Sequence, residues 1–131
     1  MGADLTIEKT GRYFRDGYGG LNSWSLRGMS YWNTSDEMKH YVRNGVMSAN
    51  GCKFILAKLK ASKFPSYARF VNMVEHHEES YDAQQIANMK RDSIMYDLHR
   101  DKYVWAVERD AEMIAFWEEA VKNNSGVIWS V

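Results

Sequence analysis

The chain has 131 residues, of which 45% are hydrophobic, 14% aromatic and 26% charged, the profile of an ordinary globular domain and not of a disordered or low-complexity chain. At this length folding buries roughly two-thirds of the surface of the unfolded chain, so a single domain with one core is expected, without metal or disulfide support. Lys plus Arg equal Asp plus Glu at 17 each, but residues 1–70 carry 11 basic against 5 acidic side chains, a net of +6, and residues 71–131 carry 6 against 12, a net of −6. A basic half attracts anions and an acidic half repels or mimics them, unless the two halves pack together or pair across a dimer. Cys52 is the only cysteine, which excludes an intrachain disulfide and fits a reducing, cytoplasmic compartment. No apolar run approaches the ~20 residues of a membrane span, and the N-terminus lacks a basic-then-apolar secretory pattern, so neither secretion nor a membrane partner is expected.

Ala3 to Glu8 alternates, with Leu5 and Ile7 on one side and Asp4, Thr6 and Glu8 on the other, which predicts a half-buried strand that needs a partner. Other short strands are expected only around Arg12 to Phe14 and Val46 to Met47, so the sheet is small. Leu21 to Trp32 places Leu21, Trp24, Leu26, Met29, Tyr31 and Trp32 at helical spacings, with Gly28 as a weak point, and predicts a helix. Thr34 or Ser35 caps a predicted helix over Asp36 to Asn44, with Asp36 and Glu37 in its first turn, Arg43 in its last and Gly45 as its stop. Ser48 is the expected N-cap of the next helix, which runs to about Lys63 before Phe64-Pro65 and carries Phe54, Ile55, Leu56 and Leu59 on its apolar side.

Helix is predicted again from Ser66 to about Glu79, and from Tyr81 or Asp82 to Lys122. In the last stretch Ile86, Met89, Ser93, Tyr96, Arg100, Tyr103, Val107, Ala111, Ile114, Trp117 and Val121 share one face, broadened by Ile94, Leu98, Trp105, Met113 and Phe116. It reads as one helix, or as two with a break near His99 to Lys102. Gly126 to Val131, β-branched and aromatic after Asn123-Asn124-Ser125, is the expected partner of the first strand. The fold class is a mainly helical α+β domain: a small sheet with the N- and C-terminal strands paired, packed on four or five helices, with a long C-terminal helix.

Few residues carry a recognisable chemistry. His76-His77-Glu78-Glu79 is the densest metal-like cluster, but adjacent helical residues point about 100° apart and the chain has no HExxH pattern, so no metal and no cofactor is expected. His99-Arg100-Asp101 spells the start of a kinase catalytic loop, yet position 106 is Ala and the chain lacks the Gly-rich loop. Cys52, near a helix N-terminus and beside Lys53, reads as a buried structural thiol. Gly17-Tyr18-Gly19-Gly20 lacks the strand and glycine spacing of a phosphate cradle.

The informative segment is Gly11 to Trp32, whose 22 residues hold six of the 18 aromatics together with Arg12, Arg15 and Arg27. Aromatic faces stack on bases and arginine forks bind phosphates, so Arg12, Tyr13, Phe14, Arg15, Tyr18, Arg27 and Tyr31 form a candidate site for a small nucleotide-type anion. The same mixture suits a protein hot spot, and it also suits a core in which the arginines pair with Asp16, Asp36 or the acidic half. Arg100 joins the candidates because a charge on an apolar stripe must find a carboxylate, such as Asp16 or Glu75, or reach a ligand. Zero net charge and the lack of a sustained basic face argue against generic nucleic acid.

Met1-Gly2-Ala3-Asp4-Leu5, then Tyr13-Phe14-Arg15-Asp16-Gly17-Tyr18, then Leu26-Arg27-Gly28-Met29-Ser30-Tyr31-Trp32 together resemble small uncharacterised proteins encoded by bacteriophages and prophages. The resemblance covers the first quarter of the chain and brings no catalytic residue with it. It implies a protein acting in a bacterial host's cytoplasm against host defence. The leading expectation is non-enzymatic sequestration of a phosphate-bearing immune signal, with a homo-oligomer as the assembly. The alternative is a protein-binding inhibitor of a host defence complex, in the manner of anti-CRISPR proteins. The weakest is a phosphoesterase using His40, His76, His77 or His99 as general base.

Overall fold

Alternation at one end of the chain and β-branched residues at the other bring the termini together, and the rest of the architecture is arranged around that pair. The computed structural model of the chain describes residues 3–16, 23–29, 36–76, 84 and 98–130. In order these form β1 (Ala3–Ile7), β2 (Tyr13–Asp16), α1 (Ser23–Leu26), α2 (Asp36–Lys39), β3 (Val42–Arg43), β4 (Val46–Met47), α3 (Ala49–Ala61), α4 (Tyr67–His76), α5 (Leu98–Lys122) and β5 (Val127–Ser130). The strands make one antiparallel sheet in the order β2-β1-β5-β4-β3, so β5, last in sequence, lies in its middle. Leu5 sits between Phe14 of β2 and Trp129 of β5. The terminal pairing expected from the sequence is present, and the fold is α+β with a long C-terminal helix.

Alternation along the strands sorts the side chains onto two faces. Leu5, Ile7, Phe14, Met47 and Val127 point inward and are buried against Cys52, Ile55 and Leu59 of α3 and Met113, Phe116, Trp117 and Ala120 of α5. Trp117 is the hub, with Trp24 and Phe116 meeting it edge-on at 6.2 and 5.4 Å between ring centres, a favoured aromatic geometry. A smaller cluster joins Leu26, Phe70, Val74 and Ala106. There the rings of Phe64, Tyr67 and Phe70 surround Tyr103, whose hydroxyl donates to the Pro65 carbonyl at 3.0 Å.

The expected third helix is present as α3. Ser48 caps it, its Oγ accepting from the Gly51 N–H at 3.1 Å, and the backbone turns extended at Ser62, ahead of Pro65. Three expectations need correction. Over Leu21 to Trp32 the described helix is a single turn: Gly28 takes a φ of +73°, and the Met29 N–H donates back to the Trp24 carbonyl at 2.8 Å, closing α1 as a Schellman-type cap. The helix expected over Asp36 to Asn44 stops at Lys39, because Asn44 and Gly45, at φ 53° and 75°, form the two-residue turn of a β3-β4 hairpin. A left-handed Gly ends helices and turns hairpins alike, and here the pairing of β4 with β5 selects the second use.

The third correction concerns the phase of α5. It is continuous from Leu98 to Lys122, with no break at His99 to Lys102, and its buried residues are Ala106, Asp110, Met113, Phe116, Trp117 and Ala120. Val107 is 42% exposed, and Ala111 and Arg100 also face solvent. Among the described residues the expected stripe therefore leaves the core at Arg100, Val107 and Ala111, and its earlier members, Ile86 to Tyr96, lie outside the described residues. Following apolar residue types passed over Asp110, which is buried as one half of an ion pair.

Candidate functional site

Among the described residues, the helices that contribute to the main core lie on the inner face of the sheet, and the outer face is read from the strand register. One row across it runs Tyr13, Thr6, Ile128, Val46 and Arg43, each residue directly opposite the next on the neighbouring strand. At about 4.8 Å between strands the row spans roughly 19 Å. Arg15 lies opposite Asp4 in the adjoining row. Tyr13 is 56% and Ile128 43% exposed, so an aromatic and an aliphatic side chain stand in the open on this face, flanked by the exposed Arg15 and Arg43.

The polar contacts on this face are slight. The Tyr13 hydroxyl donates to Asp4 Oδ1, which raises the phenol above its ordinary range by stabilising the protonated form. Arg15 Nε is 4.0 Å from the same carboxylate oxygen, and both side chains are largely solvated. Tyr13 and Arg15 thus stand two residues apart on one face of an edge strand.

The other candidates go elsewhere. Arg12 points to the helix side, where its Nη1 meets Glu119 of α5 at 3.2 Å and Thr10 donates to the second carboxylate oxygen at 3.0 Å. Phe14 is a core residue, its ring 5.8 Å from that of Phe116. Arg27 is committed inside the fold: Nε and Nη2 grip Asp110 at 2.8 and 2.6 Å, and Nη1 donates to the carbonyls of Leu59 and Ser62 at 3.0 and 3.2 Å. Arg100 lies over the Tyr67 ring, 4.6 Å from its centre, and not on the core. Tyr18 and Tyr31 lie outside the described residues.

Sequence reasoning missed three residues. Asp110 was invisible because an acid at a buried helix position looks like a break in the stripe until its arginine is known. Arg43 reads in the sequence as the last turn of a helix, and becomes a sheet residue only once the hairpin forms. Arg109 carried no signal beyond its charge; it lies with its guanidinium carbon 4.3 Å from the centre of the Phe14 ring and pairs with Glu112 at 2.8 Å. Cys52 is fully buried, and burial, with the Glu8 carboxylate adding to it, pushes its thiol up to about 12. Among the described residues no group of three His, Cys, Asp or Glu side chains could hold a metal ion, and no helix is long and apolar enough to cross a membrane. No protein-family model, curated protein or solved structure matches the chain.

Proposed function

We propose that the chain is a non-enzymatic binding protein that occupies a host defence protein, docking the outer face of its sheet on an apolar patch rimmed by carboxylates. The observation that carries this reading is the row from Tyr13 through Ile128 to Arg43: an exposed aliphatic side chain on the central strand, an exposed tyrosine on one edge strand with Arg15 two residues along, and an exposed guanidinium on the other edge strand. Exposed Tyr and Arg beside an aliphatic side chain are the residue types that dominate protein–protein binding energy. Arg15 and Arg43, the exposed guanidiniums at the two edges of the face, name carboxylates as the groups on the partner's rim. The phage-type resemblance of the N-terminal quarter supplies the host context.

Sequestration of a nucleotide-type signal is the second reading, favoured by the adjacency of Tyr13 and Arg15, a stacking ring beside a phosphate-binding fork. Of its four candidate arginines, Arg12 and Arg27 pair with carboxylates of the same chain and Arg100 lies over the Tyr67 ring.

A photo-cross-linking residue at position 128, with one at Lys60 on the opposite side as control, tests both in bacterial cells. The docking reading expects one adduct of defined mass from position 128, none from position 60, and its loss in Arg15→Ala with Arg43→Ala. An adduct that survives the double substitution, or equal capture at both positions, sinks it. A rise in Tm with nucleotides or cyclic oligonucleotides that Arg15→Ala removes would establish the second reading instead.

A further inference from the structure

Among the described strands β2 is at the edge of the sheet, and the ladder shows where its main-chain groups point. The Ile7 N–H donates to the Arg12 carbonyl at 2.9 Å and the Ile7 carbonyl accepts from the Gly11 N–H at 2.8 Å, so Ile7 and Arg12 mark a hydrogen-bonded position of the ladder at the point where the turn begins. Alternation along an antiparallel ladder makes Leu5 and Phe14 the next such pair and directs the N–H and C=O groups of Tyr13 and Arg15 away from β1. A strand edge of this kind is a template for another strand. One of its acceptors is closed: Arg109 of α5 donates from Nη2 to the Arg15 carbonyl, with the Phe14 ring against its guanidinium and Glu112 holding Nη1. A strand pairing with β2 needs that carbonyl and has to displace the arginine from it.

We propose that Arg109 is a latch on the β2 edge, and that β2 pairs antiparallel with β2 of a second copy when the latch is withdrawn. The edge's own sequence selects this occupant and its register. In a two-fold pairing centred on Phe14, Tyr13 faces Arg15 of the second copy, so the outward groups of both residues exchange hydrogen bonds. Shifting the centre to Arg15 sets the two Arg15 side chains against each other. A shift by half a residue matches outward groups with groups already bonded to β1. The Phe14-centred register avoids both faults and engages the outward groups of Tyr13 and Arg15 together, and it joins two five-stranded sheets into one continuous sheet. This inference concerns the strand edge and stands apart from docking on the outer face.

The test is sedimentation equilibrium of the wild type, of Arg109→Ala, and of Arg109→Ala combined with Tyr13→Pro, across a wide range of concentrations, with amide hydrogen exchange on each. Proline at position 13 removes an outward N–H and leaves the bonds to β1 intact. The latch expects a monomeric wild type with fast exchange at Tyr13 and Arg15, a doubling of mass in Arg109→Ala with slowed exchange at those two amides, and a return to the monomer mass with the added proline. A folded Arg109→Ala that keeps the monomer mass overturns it, as does a dimer that persists with the proline. A wild type already dimeric with both amides protected overturns it too. Should Arg109→Ala fail to fold, Arg109→Gln, which keeps a polar group over Phe14 but loses the charge, is measured against the same outcomes.

Discussion

Asp110 and Arg27 are each about nine-tenths buried, and what makes that tolerable is saturation: two bonds between the charged groups, and the remaining donors on the end of α3. Such a pair ties α1, α3 and α5 together, yet its net contribution is far smaller than the cost of breaking it from one side. Asp110→Ala, which strands the guanidinium, should therefore lose about 3–5 kcal/mol in urea unfolding, whereas Arg27→Met combined with Asp110→Leu should lose much less. A combined loss equal to that of Asp110→Ala would mean that packing, and not charge, dominates the site. Cys52 gives a second prediction at this scale. Its thiol is raised in the folded chain and ordinary in the unfolded one, so its effect on stability is nil below about pH 8.5. As pH rises from there toward 12 the unfolded chain releases a proton that the folded chain retains, and stability falls by up to about 1.4 kcal/mol per pH unit. Thermal unfolding of the wild type and Cys52→Ala at about pH 8 and about pH 10 should show a larger drop in Tm for the wild type; parallel drops would contradict it.

At the scale of elements, the β3-β4 hairpin shows how one residue signal serves two structures. Gly45→Ala puts a side chain at φ 75°, with the new Cβ 3.4 Å from the Trp129 carbonyl, and should cost about 1–2 kcal/mol of unfolding free energy. Gly45→Asn, which tolerates the left-handed region, should cost less. α3 was legible end to end because its cap, apolar face and terminating proline are all local and all agree. Ser48→Ala should lose about 1 kcal/mol by chemical denaturation, the ordinary loss of a capping hydroxyl. β3 was not legible: Val42-Arg43 has no alternation to read, and it is a strand only because Val42 and Arg43 pair with Met47 and Val46 across the turn. α5 was legible in extent near its C-terminus but not in phase, because the stripe was drawn through apolar residues and the helix buries a charged one.

For the whole molecule, the central place of β5 decides stability. It pairs with β1 on one side and β4 on the other, so deleting residues 127–131 should split the sheet in two and abolish cooperative unfolding followed by circular dichroism. A truncated chain that still unfolds cooperatively would show that the helices hold the fold alone. The outer face bears little of that stability: Arg43→Ala, at an exposed position, should shift unfolding by no more than about 0.5 kcal/mol, which makes it a clean probe of binding. Of the candidate site, Tyr13 and Arg15 were legible because aromatic and arginine enrichment is a property of composition. The departure of Arg12, Phe14 and Arg27 to other partners was not, because it depends on which carboxylates and rings the fold places within reach. The sequence by itself determined the fold class, the pairing of the termini, the cap of α3 and the burial of Cys52, since each follows from local pattern or from hydrophobicity. Only the tertiary structure decided the hairpin at Asn44-Gly45, the phase of α5, the pairing of Arg27 with Asp110 and the closing of the β2 edge by Arg109. Those depend on contacts between residues far apart in the chain, where the energy of a charge or a turn is set by the neighbour it meets and not by the residue alone.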